Sequence, residues 1–218
     1  MIEENNNGKS VSKQLAFAIA GVALLIVAVA GSAYAYYNAT VQNTTTVTGN
    51  AGAGAPTLAV TKITTGATGN LIPIDMTTDM LTTAAKGYGG STTFDATKAC
   101  KDKNGYSVCQ IYSVALTNTS SNTMGFDIGV TALSGTNTPN VDVVLMASNV
   151  SVTTATSIKG STTGIASGVS VAGGKTTTTY YIMVIIKNIN SAQTDNGKFT
   201  GTVTATSTAG AQVKATFS

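Results

Sequence analysis

A disulfide is the first chemistry the chain offers. Cys100 and Cys109 are its only cysteines, and the loop between them, Lys101 to Val108, contains the turn signal Asn104-Gly105. In an exported chain such a pair reads as a bridge that staples a hairpin-like excursion, worth about 2 to 3 kcal/mol at this loop length in the chain-entropy model. With no His and no second cysteine pair, two thiolates supply too few soft ligands for a metal site. No metal and no cofactor is expected.

Asparagine offers a second chemistry. Asn38, Asn43, Asn118 and Asn149 each begin an Asn-x-Ser/Thr sequon without Pro in the middle, whereas Asn137 is followed by Thr138-Pro139. All four are glycosylation candidates, and Asn118 stands out because Asn118-Thr119-Ser120-Ser121-Asn122 reads as an exposed turn. Catalysis has little to work with. The commonest general base is absent, and the acids beyond residue 35 are seven Asp scattered singly. Asp75 and Asp79, four apart, come nearest to a carboxylate pair, but no further acids gather around them as a calcium loop requires. They read as surface acids near a helix end. Gly87-Tyr88-Gly89-Gly90 lacks the flanking strand and helix of a nucleotide loop and reads as a turn. No catalytic residue is assigned, and the chain does not read as an enzyme.

The elements that carry these residues begin with a leader. Leu15 to Ala30 is an uncharged apolar run of about 16 residues, short of the roughly 20 that span a bilayer and just beyond a usual signal-peptide apolar region. Gly31-Ser32-Ala33-Tyr34-Ala35 closes it with small residues, and Ala33-Tyr34-Ala35 has the small-x-small form of a signal-peptidase site. The expected organisation is therefore a signal peptide over 1–35 cleaved after Ala35, with the membrane met only during export. Beyond the leader every basic residue is Lys, and removing the leader's two Lys and two Glu leaves the net charge at +3. Without Arg or a basic cluster, nucleic acid is excluded as a partner.

From Tyr36 to Asn50 the chain alternates, with Tyr37, Ala39, Val41 and Val47 at odd positions and Asn or Thr at most even ones, which predicts a strand. Ala51 to Pro56 is Gly- and Ala-rich and reads as a hinge that completes an N-terminal unit over 36–56. A β-domain over 57–218 follows. Its first strand is Thr57 to Ile63, and a polar stretch then holds one helical candidate, Asp75 to Ala85. Further strands are expected over 108–118, 124–133, 141–146, 168–171, 176–189, 198–207 and 212–217. Short strands with turn signals and no intervening amphipathic helices predict an all-β antiparallel sandwich, jelly-roll-like or immunoglobulin-like. Tyr180 to Ile186 is apolar on both faces and is expected to be covered on both.

The order of these segments resembles the TasA/camelysin family. A leader ending in small residues, Ala35-Tyr36-Tyr37-Asn38-Ala39-Thr40, a Thr-rich strand, a Gly-rich patch and Thr57-Leu58-Ala59-Val60 look like the start of such proteins. Ser113 to Leu133 and Ala172-Gly173-Gly174-Lys175-Thr176 look like their later strands. Residues 64–107 depart from the pattern. The resemblance, which extends to archaeal bundling-pilus subunits, implies a jelly-roll domain in an extracellular, cell-surface filament or biofilm-matrix fibre. It also implies a homo-polymer joined head to tail by donor-strand complementation, with possible lateral bundling. On that reading Tyr37, Ala39, Val41 and Val47 are the inserted residues, because strand addition needs backbone hydrogen bonds and alternate side chains in pockets. The same strand folded back on its own domain is the plainer arrangement.

Two other classes compete: a type IV pilin-like subunit that keeps its apolar helix, and a secreted surface-layer or carbohydrate-binding β-module. Mass spectrometry of the mature protein is expected to find Tyr36 at the N-terminus. A start near Leu15 would instead establish the retained-helix pilin.

Overall fold

The computed structural model describes residues 39–41, 46–49, 56–67, 71–136, 139–189 and 198–218. The leader with Ala35, the residues Tyr37, Asn38 and Asn43, and the hinge up to residue 55 lie outside the described residues. The elements are β1 (Ala39–Val41), β2 (Thr46–Gly49), β3 (Thr57–Lys62), α1 (Thr78–Lys86), β4 (Gln110–Asn118), β5 (Met124–Thr136), β6 (Val141–Met146), β7 (Ala166–Val171), β8 (Lys175–Thr176), β9 (Tyr180–Ile186), β10 (Lys198–Ser207) and β11 (Gln212–Phe217).

Two sheets face each other. One has the order β1-β11-β10-β5-β7; the other runs β2-β3-β4-β9-β6, with β8 also pairing β4. Every pairing is antiparallel except β1 with β11. The all-β sandwich expected from the alternation is therefore present. Of the two layouts, the strand order is the immunoglobulin one: β3-β4-β9-β6 facing β11-β10-β5 reproduces A-B-E-D facing G-F-C, with β7 added beside the C position.

Alternation explains the core. In β11 Val213, Ala215 and Phe217 are buried while Gln212, Lys214 and Thr216 between them are partly exposed. In β5 the inward set changes parity, from Phe126, Ile128 and Val130 to Leu133. The pairing with β10 explains it: the register shifts between Thr202 and Val203, leaving Thr131 as the extra residue of a β-bulge. The strand expected over 176–189 is broken. Thr177 leaves the ladder to bond Leu116 twice, its amide donating to the carbonyl oxygen at 2.8 Å and its Oγ1 accepting from the Leu116 amide at 3.1 Å, so β8 and β9 are separate.

Residues 64–67 and 71–107, which lie between the expected strands, form a third layer on the outer face of the β4-β9-β6 sheet. Helix α1 starts where the Thr77 side chain accepts from the Met80 amide and ends at Gly87, whose φ of 69° places it in the left-handed region. Its buried face, Leu81, Ala84 and Ala85, packs in a cluster with Met183, Ile185, Ile111 and Val144 from the strands. Ile182, Val184 and Ile186 fill the main core from the opposite face of β9. This is why Tyr180 to Ile186 reads as apolar throughout: the sheet is covered on both sides.

The Cys100–Cys109 bridge fixes that layer to β4, with both half-cystines fully buried. The loop between them is hairpin-like, as expected: Lys101 pairs with Ser107, and the Asp102 carboxylate accepts from the Asn104 and Tyr106 amides at 2.9 and 2.8 Å. Replacing both cysteines by Ser is expected to cost about 2 to 3 kcal/mol in urea unfolding. Hydrogen exchange should rise first in α1 while β10 and β11 stay protected.

Candidate assembly edge

The two sheets end on one side of the sandwich in β3 and β11, which are in contact across it. Each has an interior neighbour, β4 for β3 and β10 for β11. Among the described residues each is paired on the outer side by one short strand, β11 by residues 39–41 and β3 by residues 46–49. β1 runs parallel to β11 with Ala39 opposite Val213 and Val41 opposite Ala215. β2 runs antiparallel to β3 with Val47 opposite Val60 and Gly49 opposite Leu58. One short stretch therefore completes the edges of both sheets, and it does so here within a single chain.

The residues it faces belong to the core. Leu58, Val60, Val213, Ala215 and Phe217 are all buried, and Leu58 and Ala215 are completely so. Beneath them lies an aromatic bed: the Phe217 ring is 4.8 Å from Tyr112 and 6.4 Å from Phe199. The buried Tyr112 hydroxyl donates to Gln110 Oε1 at 2.6 Å, so the polar tip is satisfied. Burial pushes the Tyr112 phenol well above its ordinary pKa, which keeps it neutral and able to donate. Gly201 stands opposite Phe217 in the ladder, and a methyl there would overlap the ring. On the outer end of β3, Lys62 donates from Nζ to the Ala67 carbonyl at 3.2 Å, and partial burial lowers its pKa.

The other side of the sandwich is closed differently. Beside β6, the Ile158 amide donates to the Val143 carbonyl at 2.9 Å and Lys159 Nζ to the Val141 carbonyl at 3.1 Å, so the chain after β6 blunts that edge. At the β7 edge Asp127 accepts from the Gly168 amide at 2.8 Å and from Ser167 Oγ at 3.0 Å, holding Gly168 at a φ of 62°.

Of the residues singled out by type and spacing, the structure joins Cys100 to Cys109 and separates most others. Asn118 corrects the sequence reading. It is fully buried rather than an exposed sequon: its Nδ2 donates to the Asn122 and Val171 carbonyls, both at 2.8 Å, and its Oδ1 accepts from Ser120 Oγ at 2.7 Å. A buried amide needs all these partners, so Asn118 is the hub of its turn and has no atom to spare for a sugar. Asn149 lies half-exposed at a turn tip. Asp75 accepts from Asn188 Nδ2 at 2.8 Å, and Asp79 sits exposed in the first turn of α1. Among the described residues no group of three His, Cys, Asp or Glu could hold a metal, and no helix is long and apolar enough to cross a membrane.

Sequence reasoning missed that β3 and β11 lie side by side at the edge of the sandwich, because their alternation is that of any core strand. It also missed a groove of about 530 Å3 between α1 and the disulfide loop, lined by Ile72, Met80, Ala84, Tyr88, Lys101 and Val108.

No protein-family model and no curated protein matches the chain. Similar solved structures include a FixG-related protein from Vibrio parahaemolyticus, at 12% identity and a TM-score of 0.25, covering 50% of this chain and 73% of that one. A family 123 glycoside hydrolase from Clostridium perfringens matches at 11% identity and a TM-score of 0.29, covering 50% of this chain and 20% of the enzyme. The CooA pilin subunit from enterotoxigenic Escherichia coli matches at 17% identity and a TM-score of 0.25, covering 50% of this chain and 79% of the pilin. Likenesses this loose carry no argument about what the chain does.

Gly201→Ala tests the aromatic bed directly. The added methyl is expected to displace Phe217 and lower the stability by about 1 to 3 kcal/mol, read as a lower urea midpoint at unchanged slope.

Proposed function

We propose that the protein is a structural subunit of an extracellular filament, a bundling pilus or biofilm-matrix fibre, that polymerises head to tail by donor-strand complementation. The observation that carries the reading is the single segment 39–49 completing two sheet edges, β11 and β3, on one side of the sandwich. An element that pairs in this way within one chain can make the same pairs with the next chain. That exchange is the domain-swapping route to assembly, and in a head-to-tail sense it builds an open polymer.

Several further features support this. The odd-numbered residues of the segment stand at register positions opposite core residues: Ala39 at Val213, Val41 at Ala215 and Val47 at Val60. A one-residue slip would set them opposite Lys214 or Thr61, so the register is specified. Three residues pair on β11 and four on β3, and at about 1 kcal/mol net per hydrogen bond the ladder contributes several kcal/mol before apolar burial is added. Residues 50–56, if extended, reach roughly 23 to 25 Å, enough to deliver the strand to a neighbour. Leaving both edges bare would instead expose two templates for uncontrolled pairing.

Export follows from the apolar run ahead of the segment, with removal of 1–35 freeing Tyr36 to Thr48 to act as donor. The partners are identical copies, along the fibre and in lateral bundles at the cell surface. The function needs no catalytic group and no cofactor.

The pair Val47→Cys and Val60→Cys provides the test, because the two positions face each other whichever chain supplies the strand. Oxidation of assembled fibres is expected to give a covalent ladder on a non-reducing gel, while deletion of residues 36–48 should leave folded monomers in electron micrographs. Intact fibres that yield only a monomer band would show that the strand stays with its own domain, and would sink the donor-strand reading.

A further inference from the structure

The four sequons are not equivalent in the folded chain. Asn118 is excluded by its burial and its saturated amide. Asn38 and Asn43 lie outside the described residues. Asn149 is elsewhere. It follows β6, the last strand of the sheet ordered β2-β3-β4-β9-β6, three strand spacings or roughly 14 Å from β3.

Its turn is built to present the side chain. Ser148 and Ser151 pair across it, with the Ala147 amide donating to the Ser151 carbonyl at 3.0 Å and the two hydroxyls 2.9 Å apart. The Val150 amide donates to Ser148 Oγ at 3.3 Å. Directly after the turn Val152 is buried, and its amide donates to Thr82 Oγ1 of α1 at 3.1 Å. Asn149 and Val150 are thus held at a rigid tip. The Asn149 amide makes no hydrogen bond with any described residue, in contrast with the four contacts of Asn118, and Ser151 supplies the hydroxyl of the sequon.

We infer that Asn149 is a glycosylation site of the exported chain, and that it carries the sugar on the face of the subunit that strand exchange leaves free. The substrate is a lipid-linked oligosaccharide. Asn149 Nδ2 forms the new bond to the anomeric carbon as the bond from that carbon to the donor's phosphate oxygen breaks; the lipid phosphate departs with the electron pair and the amide loses one proton. This rests on the export reading, since the transferase meets only chains that cross the membrane, but it does not depend on polymerisation.

The test is mass spectrometry of the intact protein isolated from its own producing cells, with the N-terminus and the peptides around Asn118 and Asn149 read in one experiment. A mature start at Tyr36, a glycan mass on the Asn149 peptide and a bare Asn118 peptide are expected. Asn149→Gln and Ser151→Ala should each remove the added mass while leaving the protein exported and folded. Asn149→Gln keeps the Ser148–Ser151 turn, so it stands if the second variant fails to fold. An exported chain with Asn149 bare, or with sugar on Asn118, overturns the assignment alone. A chain that keeps its leader inside the cell and is unmodified overturns export as well.

Discussion

Unpaired backbone at a sheet edge is the constraint on which this molecule turns. Every sandwich has four edges, and each amide and carbonyl along them must be met by chain, by water or by another molecule. Two are dealt with locally, by the loop that leans on β6 and by the bulge in β7 that Asp127 of β5 holds. The other two, β3 and β11, lie on the same side and over the best-packed part of the core, where Phe217 meets Tyr112 and Phe199. Only one segment serves both. Its bonds close both edges within the chain, over the core they cover.

The sheets of the sandwich need support on their faces as well as at their edges. The third layer supplies part of that. By packing Leu81, Ala84 and Ala85 onto Met183 and Ile185, it buries the second face of β9, and the Cys100–Cys109 bridge ties the layer to the end of β4. β4 is the strand against which β3 pairs, so β3 is backed by a sheet buried on both sides and covalently anchored. The opposite sheet carries no such layer among the described residues, and its outward positions are correspondingly polar: Thr200, Thr202 and Thr206 alternate along β10 with Phe199, Gly201, Val203 and Ala205.

Much of this was legible from local pattern. Strands such as Val141–Met146, Lys198–Ser207 and Gln212–Phe217 fall where alternation and turn residues place them, since both signals are written within a few neighbouring residues. The double-faced apolarity of β9 correctly implied cover on both sides, although not what supplied it. The failures are long-range. Asn118 reads as an exposed turn because Ser and Asn surround it, yet Val171, far along the chain, provides the carbonyl that buries it. The immunoglobulin order over the jelly-roll one depends on which strands pair across the sandwich, and no local pattern encodes that. The inward residues of β3 and β11 look like ordinary core residues for the same reason: being near an edge is a property of the sheet, not of the strand.

The sparse charge of the chain takes on meaning in this setting. Among the described residues there is one ion pair, Lys98 with Asp95, and the carboxylates serve mainly to close loops. Asp95 accepts from the Thr97 hydroxyl and amide, and these hydrogen bonds, with Lys98 nearby, lower its pKa. Asp102 holds the disulfide loop, Asp127 the bulge in β7, and Asp142 the chain beside β6 through Ser157. The acids are spent on turns, at the periphery of the sandwich, while the side formed by β3 and β11 is built from apolar side chains and backbone. A strand edge of this kind pairs by register and shape rather than by charge.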